Sequence, residues 1–236
     1  MVKLSTSIFF FCNFLFSQVT SGIVTYSILD VQKLSNYDSI FRTEKAIEFT
    51  KLLRFHLKFD GENASFTTAR GAQMITEIED NLLNVSTVRG TYIKNFANNK
   101  IVRYYEYEDI GGKMAIENTN DIKWNYLNEK KLISGYECYL AEGVFTDYIE
   151  RFIKNYKVRA WYCPKIPVSI GPKYYHGLPG LIMEITDDKV TFGVSKITFI
   201  EDLIIDNIKN QKEYKKITDK EFNVVIAKYV EDILKN

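Results

Sequence analysis

From Leu53 to Phe59 apolar and polar residues alternate without a break: Leu53, Phe55, Leu57 and Phe59 against Arg54, His56 and Lys58. Successive side chains of a strand point to opposite faces, so this pattern predicts a half-buried strand. Asp60-Gly61-Glu62-Asn63 is turn chemistry, and Ala64 to Thr68 resumes as the return strand of a hairpin. Gly22 to Leu29 alternates in the same way and predicts the first strand. Thr91 to Phe96 and Ile101 to Tyr107 flank the polar turn Asn98-Asn99-Lys100 and predict a second hairpin.

Further strands are predicted at Lys113 to Glu117, Ile122 to Leu127, Gly135 to Phe145, Lys157 to Tyr162, Leu181 to Thr186 and Val190 to Ile200. The last two are split by the turn Asp187-Asp188-Lys189, and Gly135 to Phe145 is expected to pair with Lys157 to Tyr162. Thr43 to Lys51 carries Ala46, Ile47 and Phe49 at roughly helical spacing, and residues 71–89 show no clear period. The C-terminus changes character. Thr218-Asp219-Lys220-Glu221 has the form of a capping box, and Phe222, Val225, Ile226, Tyr229, Val230, Ile233 and Leu234 then recur at helical spacing. The expected fold is therefore mainly β: a curved antiparallel sheet or partly open β-barrel with a C-terminal α-helix over 218–235.

Composition sharpens this picture. Sixteen Tyr and 16 Phe in 236 residues suit strands better than helix bundles. Basic residues number 31 and acidic ones 30, interleaved as in Glu129-Lys130-Lys131, which reads as a solvated face. Such a chain has no basic field for a phosphate backbone, so nucleic acid is not expected as a partner.

The N-terminus reads as an export signal. Lys3 is followed by the apolar run Ile8 to Phe16, broken only by Asn13, and then by small or polar residues at Ser17, Gln18 and Ser21. That run is too short for a spanning helix of about 20 residues. We expect a leader over 1–17, with cleavage as late as residue 21, ahead of a single β-rich domain over 18–236. Cys12 follows Phe9-Phe10-Phe11 and sits in no lipoprotein box, so no lipid anchor and no transmembrane span of the mature chain are expected. The expected location is periplasmic or secreted. Cys138 and Cys163 remain in the mature chain, on strands expected to lie side by side. In an oxidising compartment they form either a disulfide or two separately buried thiols.

The segment Trp161 to Met183 stands apart from all of this. Every proline of the chain lies in it, at Pro164, Pro167, Pro172 and Pro179. Proline fixes φ and removes a donor, so four of them stiffen a connection and keep it out of a central ladder. Its close, Gly177-Leu178-Pro179-Gly180-Leu181-Ile182, together with the approach Ala160-Trp161-Tyr162-Cys163-Pro164, resembles the GLPGLI family, exported proteins of the Bacteroidetes with a Porphyromonas-type label. The resemblance extends in layout to Gly22-Ile23-Val24-Thr25-Tyr26 and Gly135-Tyr136-Glu137-Cys138. It implies export and no established activity. Within the segment, Trp161, Tyr162, Pro167, Gly177, Leu178, Pro179, Gly180, Leu181 and Ile182 form either a rigid corner of the sheet or the lip of a binding surface.

Catalytic signals are sparse. The two histidines, His56 and His176, have no accompanying ligand spacing, and no metal or cofactor is expected. Gly193-Val194-Ser195-Lys196 lacks the second glycine of a nucleophile elbow, and Gly177-x-x-Gly180 lacks the Lys-Ser/Thr of a phosphate loop. Cys138 or Cys163 with His176 would be a nucleophile and base only if the fold joined them. Glu106, Glu108 and Asp109 are acids of the kind a glycosidase pairs, but acids are common here. Asn63-Ala64-Ser65 and Asn84-Val85-Ser86 match a glycosylation pattern without a context for it. The expected function is thus non-enzymatic: binding of an apolar or amphipathic, lipid-like ligand in a curved sheet, with docking of an envelope protein through Gly177 to Ile182 as the alternative.

Overall fold

The computed structural model describes residues 21–31, 50–69, 90–107, 112–119, 121–149, 152–187, 190–205 and 211–235. The expected leader, most of the helix expected over 43–51, the segment 71–89 with Asn84-Val85-Ser86, the acids Glu108 and Asp109, and turn residues Asp188 and Lys189 lie outside the described residues.

Twelve strands form one sheet: β1 (Gly22–Val31), β2 (Arg54–Phe59), β3 (Asn63–Thr68), β4 (Thr91–Asn95), β5 (Lys100–Tyr107), β6 (Gly112–Glu117), β7 (Asn125–Ile133), β8 (Tyr136–Ile149), β9 (Phe152–Cys163), β10 (Leu181–Thr186), β11 (Val190–Phe199) and β12 (Lys215–Thr218). Their order is β12-β6-β5-β4-β3-β2-β1-β11-β10-β9-β8-β7. Two antiparallel meanders, β1 to β6 and β7 to β11, are thus joined by the pairing of β1 with β11. The sheet is not wholly antiparallel as expected, because β12 lies parallel to β6. A helix, α1 (Asp219–Lys235), follows β12 directly.

Local chemistry accounts for the hairpins. In the β2–β3 turn the Asp60 carboxylate accepts from the backbone N–H groups of Glu62 and Asn63 at 3.0 and 2.8 Å. The capping box also forms: the Glu221 side chain accepts from Thr218 N–H at 2.7 Å, and Thr218 Oγ1 accepts from Glu221 N–H at 3.2 Å.

Two strand expectations are corrected. Residues 121–124, with Trp124, are not in a strand; β7 begins at Asn125 and runs on through the charged Glu129-Lys130-Lys131. As an edge strand β7 is solvated, so its pattern has no apolar face to reveal it. β12, for which no strand was expected, is likewise a short edge strand.

Connectivity forces the sheet to curl. β6 and β7 lie ten inter-strand steps apart, about 48 Å in a flat sheet. The chain from Glu117 to Asn125 spans about 27 Å at most. The two ends of the sheet must therefore approach each other, although they do not pair. The enclosed face carries the main core, including Val24, Tyr26, Phe55, Leu57, Phe66, Tyr92, Ala160, Ile185 and Phe192. Phe55, Phe66, Tyr26 and Phe192 meet in edge and stacked contacts at 5.4 to 6.2 Å. A smaller cluster joins Tyr105, Met114 and Ile116 to Phe222 of α1, with Val225, Ile226 and Tyr229 against it. α1 also touches β8, so it bridges the two sides of the curl.

Candidate functional site

The connection between β9 and β10, residues 164–180, folds inward over the enclosed face. Its first half alternates: Ile166, Val168 and Ile170 are buried while Lys165 and Pro167 are exposed. Ile182 N–H donates to Ile170 O at 3.0 Å and Leu181 N–H to Ile166 O at 2.9 Å, so the link runs beside the start of β10. Buried Tyr26 ties the other side, donating from its hydroxyl to Ile182 O at 2.6 Å. Tyr174 stacks on Phe145 at 4.5 Å and meets Tyr92 edge-on at 6.2 Å, reaching strands from both meanders.

The candidate residues divide sharply. Leu178, Leu181 and Ile182 are almost wholly buried, as is Gly180, and Tyr162 is buried on β9. Pro167, Gly177 and Pro179 are exposed, and Trp161 is half-buried beneath the Lys131 ammonium, 4.5 Å from its ring. Gly180 permits the corner: a Cβ there would stand 2.2 Å from Cys163 O, at a φ of +156°. The segment is thus largely a packed corner, with an exposed tip at Gly177 and Pro179.

One anchor of the link is a buried ion pair. Lys173 Nζ donates to Asp187 Oδ2 at 2.8 Å, and Tyr175 OH donates to the same oxygen at 3.0 Å. Asp187 Oδ1 accepts from Val190 N–H at 2.8 Å, closing the β10–β11 turn. Lys173 and Asp187 are 1% and 2% exposed. Lys173 sits at a φ of +55°, unusual for a residue with a side chain. Burial and the Asp187 charge push the Tyr175 phenol well above its ordinary range.

At the seam the pattern differs. Lys94 occupies a position on β4 that faces the core beside Tyr92, and it is 3% exposed. Its ammonium donates to Ser169 O at 3.1 Å and lies 5.6 Å from the Phe96 ring. Among the described residues no carboxylate pairs with it, and burial pulls its pKa down to about 8. Ser169 Oγ accepts from Gly177 N–H at 3.1 Å, and Ile170 bridges His176 across the link. His176 O accepts from Trp124 Nε1 at 2.8 Å, which brings in the segment that crosses from β6 to β7. The His176 Nδ1 is buried with no partner. Burial first, and then the Lys94 charge, lower its pKa to about 4, against a smaller opposing effect of Asp121. The sequence places His176 within the proline-marked segment Trp161 to Met183 and assigns Lys94 no role. The signal was present in Thr91 to Phe96, where a lysine falls on the same side as Tyr92.

Cys138 and Cys163 are free, buried thiols on the paired strands β8 and β9, within hydrogen-bonding reach of each other. The shared proton raises the Cys138 thiol. It lowers that of Cys163, which the backbone N–H groups of Lys165 and Ile166 also stabilise as thiolate. Among the described residues no contact joins either cysteine to His176. His56 is half-buried on β2, its pKa lowered by burial and by Lys58. Ser195 lies in β11 and donates to Thr25 O at 3.1 Å. Glu106 on β5 accepts from Tyr214 OH. Among the described residues no group of three or more His, Cys, Asp or Glu gathers closely enough to hold a metal ion. Among them, too, no helix is long and apolar enough to cross a membrane.

A family model described as a protein of unknown function (Porph_ging) matches residues 146–184, from the end of β8 through the link into β10. No curated protein matches the chain. In fold, two crystal structures of PNGF-II resemble it. In one, in space group C2, the TM-score is 0.54 at 11% identity over 89% of this chain and 33% of that one. In the other, in P21, the values are 0.50, 10%, 89% and 34%. This chain thus spans about a third of the length of PNGF-II. At that identity the likeness is one of fold alone, and the sequence match centres on the link.

Proposed function

We propose that this is an exported, non-enzymatic protein of the GLPGLI family that holds an apolar or amphipathic small molecule in the curl of its sheet. The observation that carries this reading is the unclosed seam: two ends of one sheet approach without pairing, bridged by the link and α1. Around it half-buried aromatic residues, among them Phe96, Trp124, Tyr156 and Tyr174, pack against the main core. Such a site is concave and mostly apolar, with few polar groups, as small-molecule sites usually are. The leader expected over 1–17 and the Gly177 to Ile182 signature support export and the family assignment.

Native mass spectrometry of the protein from its own envelope fraction, before and after solvent extraction, tests the reading. A discrete added mass that solvent removes is the expected result. A bare chain mass would turn the reading toward docking of an envelope partner, for which exposed Pro167, Gly177 and Pro179 are the available surface. The same spectrum reports whether Cys138 and Cys163 are bridged, through a loss of two hydrogens.

A further inference from the structure

We propose that Lys94, Ser169 and His176 form the polar end of the ligand site and receive a carboxylate group. This rests on the reading that the curl holds an amphipathic molecule, and it names that molecule as an acid.

The argument begins with what Lys94 lacks. It faces the core from β4 with a single carbonyl, Ser169 O, as hydrogen-bond partner. An ammonium has three donors, so two are uncommitted. A buried cation with no counter-ion is costly and persists where something else requires it. The apolar neighbours Ala64 and Ile101, directly across on β3 and β5, offer no compensation. The two other groups are also incomplete. Ser169 Oγ accepts from Gly177 N–H, and among the described residues its own proton finds no acceptor. The His176 Nδ1 is buried and unpartnered, and in the Nδ1–H tautomer it is a third donor. The link holds Ser169 and His176 together through the Ile170–His176 bridge and the Ser169–Gly177 bond. Trp124 fixes the His176 backbone from the crossing segment. Three groups with unused donors, on β4 and on the link, one of them charged, suit an acceptor-only anion of carboxylate size. Lys94 is buried while Ser169 and His176 are half-buried, so the acid enters from the seam with the ammonium behind it.

The test uses the full mature chain and three probes in calorimetry: octanoate, 1-octanol and acetate. Octanoate is expected to bind at least tenfold more tightly than octanol. Lys94→Met should bring octanoate to the affinity of octanol and leave octanol unchanged, while raising Tm by several degrees because a bare buried charge is gone. Lys94→Gln gives the same binding result should the methionine variant fail to fold. Equal binding of octanoate and octanol by the wild type, or selectivity that survives both variants, overturns the acid site and leaves the apolar reading standing. Acetate binding as tightly as octanoate keeps the anion site and removes the apolar one. Binding of none of the three probes overturns both. A lowered Tm in Lys94→Met with unchanged octanoate affinity makes Lys94 a structural residue and also overturns the proposal.

Discussion

Among the described residues two lysines are buried, and they are built oppositely. Lys173 reaches Asp187 at 2.8 Å, shares that carboxylate with Tyr175, and rests over the Phe192 ring at 5.2 Å. Lys94 has one carbonyl, the Phe96 ring at 5.6 Å and, among the described residues, no carboxylate. The first arrangement satisfies a buried charge and fastens the link to the β10–β11 turn. The second leaves a charge poorly satisfied at a seam between the two sides of the sheet. A fold selected only for stability has no use for the second, and so the contrast sets a cation that fastens the structure beside one that costs it stability.

The contrast can be broken most forcefully at Asp187. Asp187→Ala strands the Lys173 ammonium, the Tyr175 hydroxyl and the Val190 N–H, and should cost about 3–5 kcal/mol in urea unfolding. The double variant Lys173→Met with Asp187→Leu should recover much of that loss. A single-variant cost below about 1 kcal/mol would mean that the ion pair fastens nothing. Gly180→Ala tests the other anchor of the same link. Its Cβ would press on Cys163 O, and backbone strain should destabilise the chain by about 1–3 kcal/mol without changing the ligand class it prefers.

Lys94 should respond with the opposite sign. Lys94→Met is expected to stabilise the ligand-free chain at pH 7 by about 1–3 kcal/mol. The pH dependence follows from its lowered pKa of about 8 against an ordinary 10.5. Between those values the unfolded chain holds the proton and the folded one does not, so wild-type stability rises with pH. The advantage of Lys94→Met should therefore be full below pH 8 and shrink toward pH 10.5. A constant advantage across that range would assign Lys94 a counter-ion after all. The smallest effect is expected at His176, held near 4 against an ordinary 6.5. Here too the unfolded state binds the proton first, so stability is full above pH 6.5 and falls as pH drops toward 4. His176→Leu should flatten that acid limb, since Trp124 bonds the backbone and not the ring.

Most of the sheet was legible because most strands have one buried face. β2 shows this best: Phe55, Leu57 and Phe59 are buried and Arg54, His56 and Lys58 are not. The capping box at Thr218 and Glu221 was legible for a related reason, being a local hydrogen-bond device at fixed spacing. β7 and β12 were not, because edge strands are solvated and their charged residues obey no period. The parallel pairing of β12 with β6 depends on a chain reversal that no local pattern records. At the site, the prolines and glycines correctly marked an irregular link, and the burial of Leu178, Leu181 and Ile182 fits the corner that they suggested. The role of Lys94, and that of Asp187 beyond its turn, were not legible because they lie in partners 75 and 14 residues away. A lysine in an alternating strand reads as solvated until the opposite face is known to be the core.

The joint between the meanders sets an order of events. β1 is the first strand of the sheet in chain order and sits in its middle, where its second neighbour is β11, far along the chain. Gly22 waits for Phe199. Until then β1 to β6 are a meander with one side of β1 bare, an unpaired apolar strand of the kind that invites other chains. Pairing at such separation carries the loop-closure cost before any contact rewards it, so this step should be the slow one. The link over residues 164–180 lies between β9 and β10, one strand short of that joint, and it already meets β4 through the Lys94–Ser169 bond and the Tyr92–Tyr174 contact. The segment that reads as a signature in the sequence therefore touches the early half before β11 is made, and Ile182 at the start of β10 adds a bond from Tyr26 of β1.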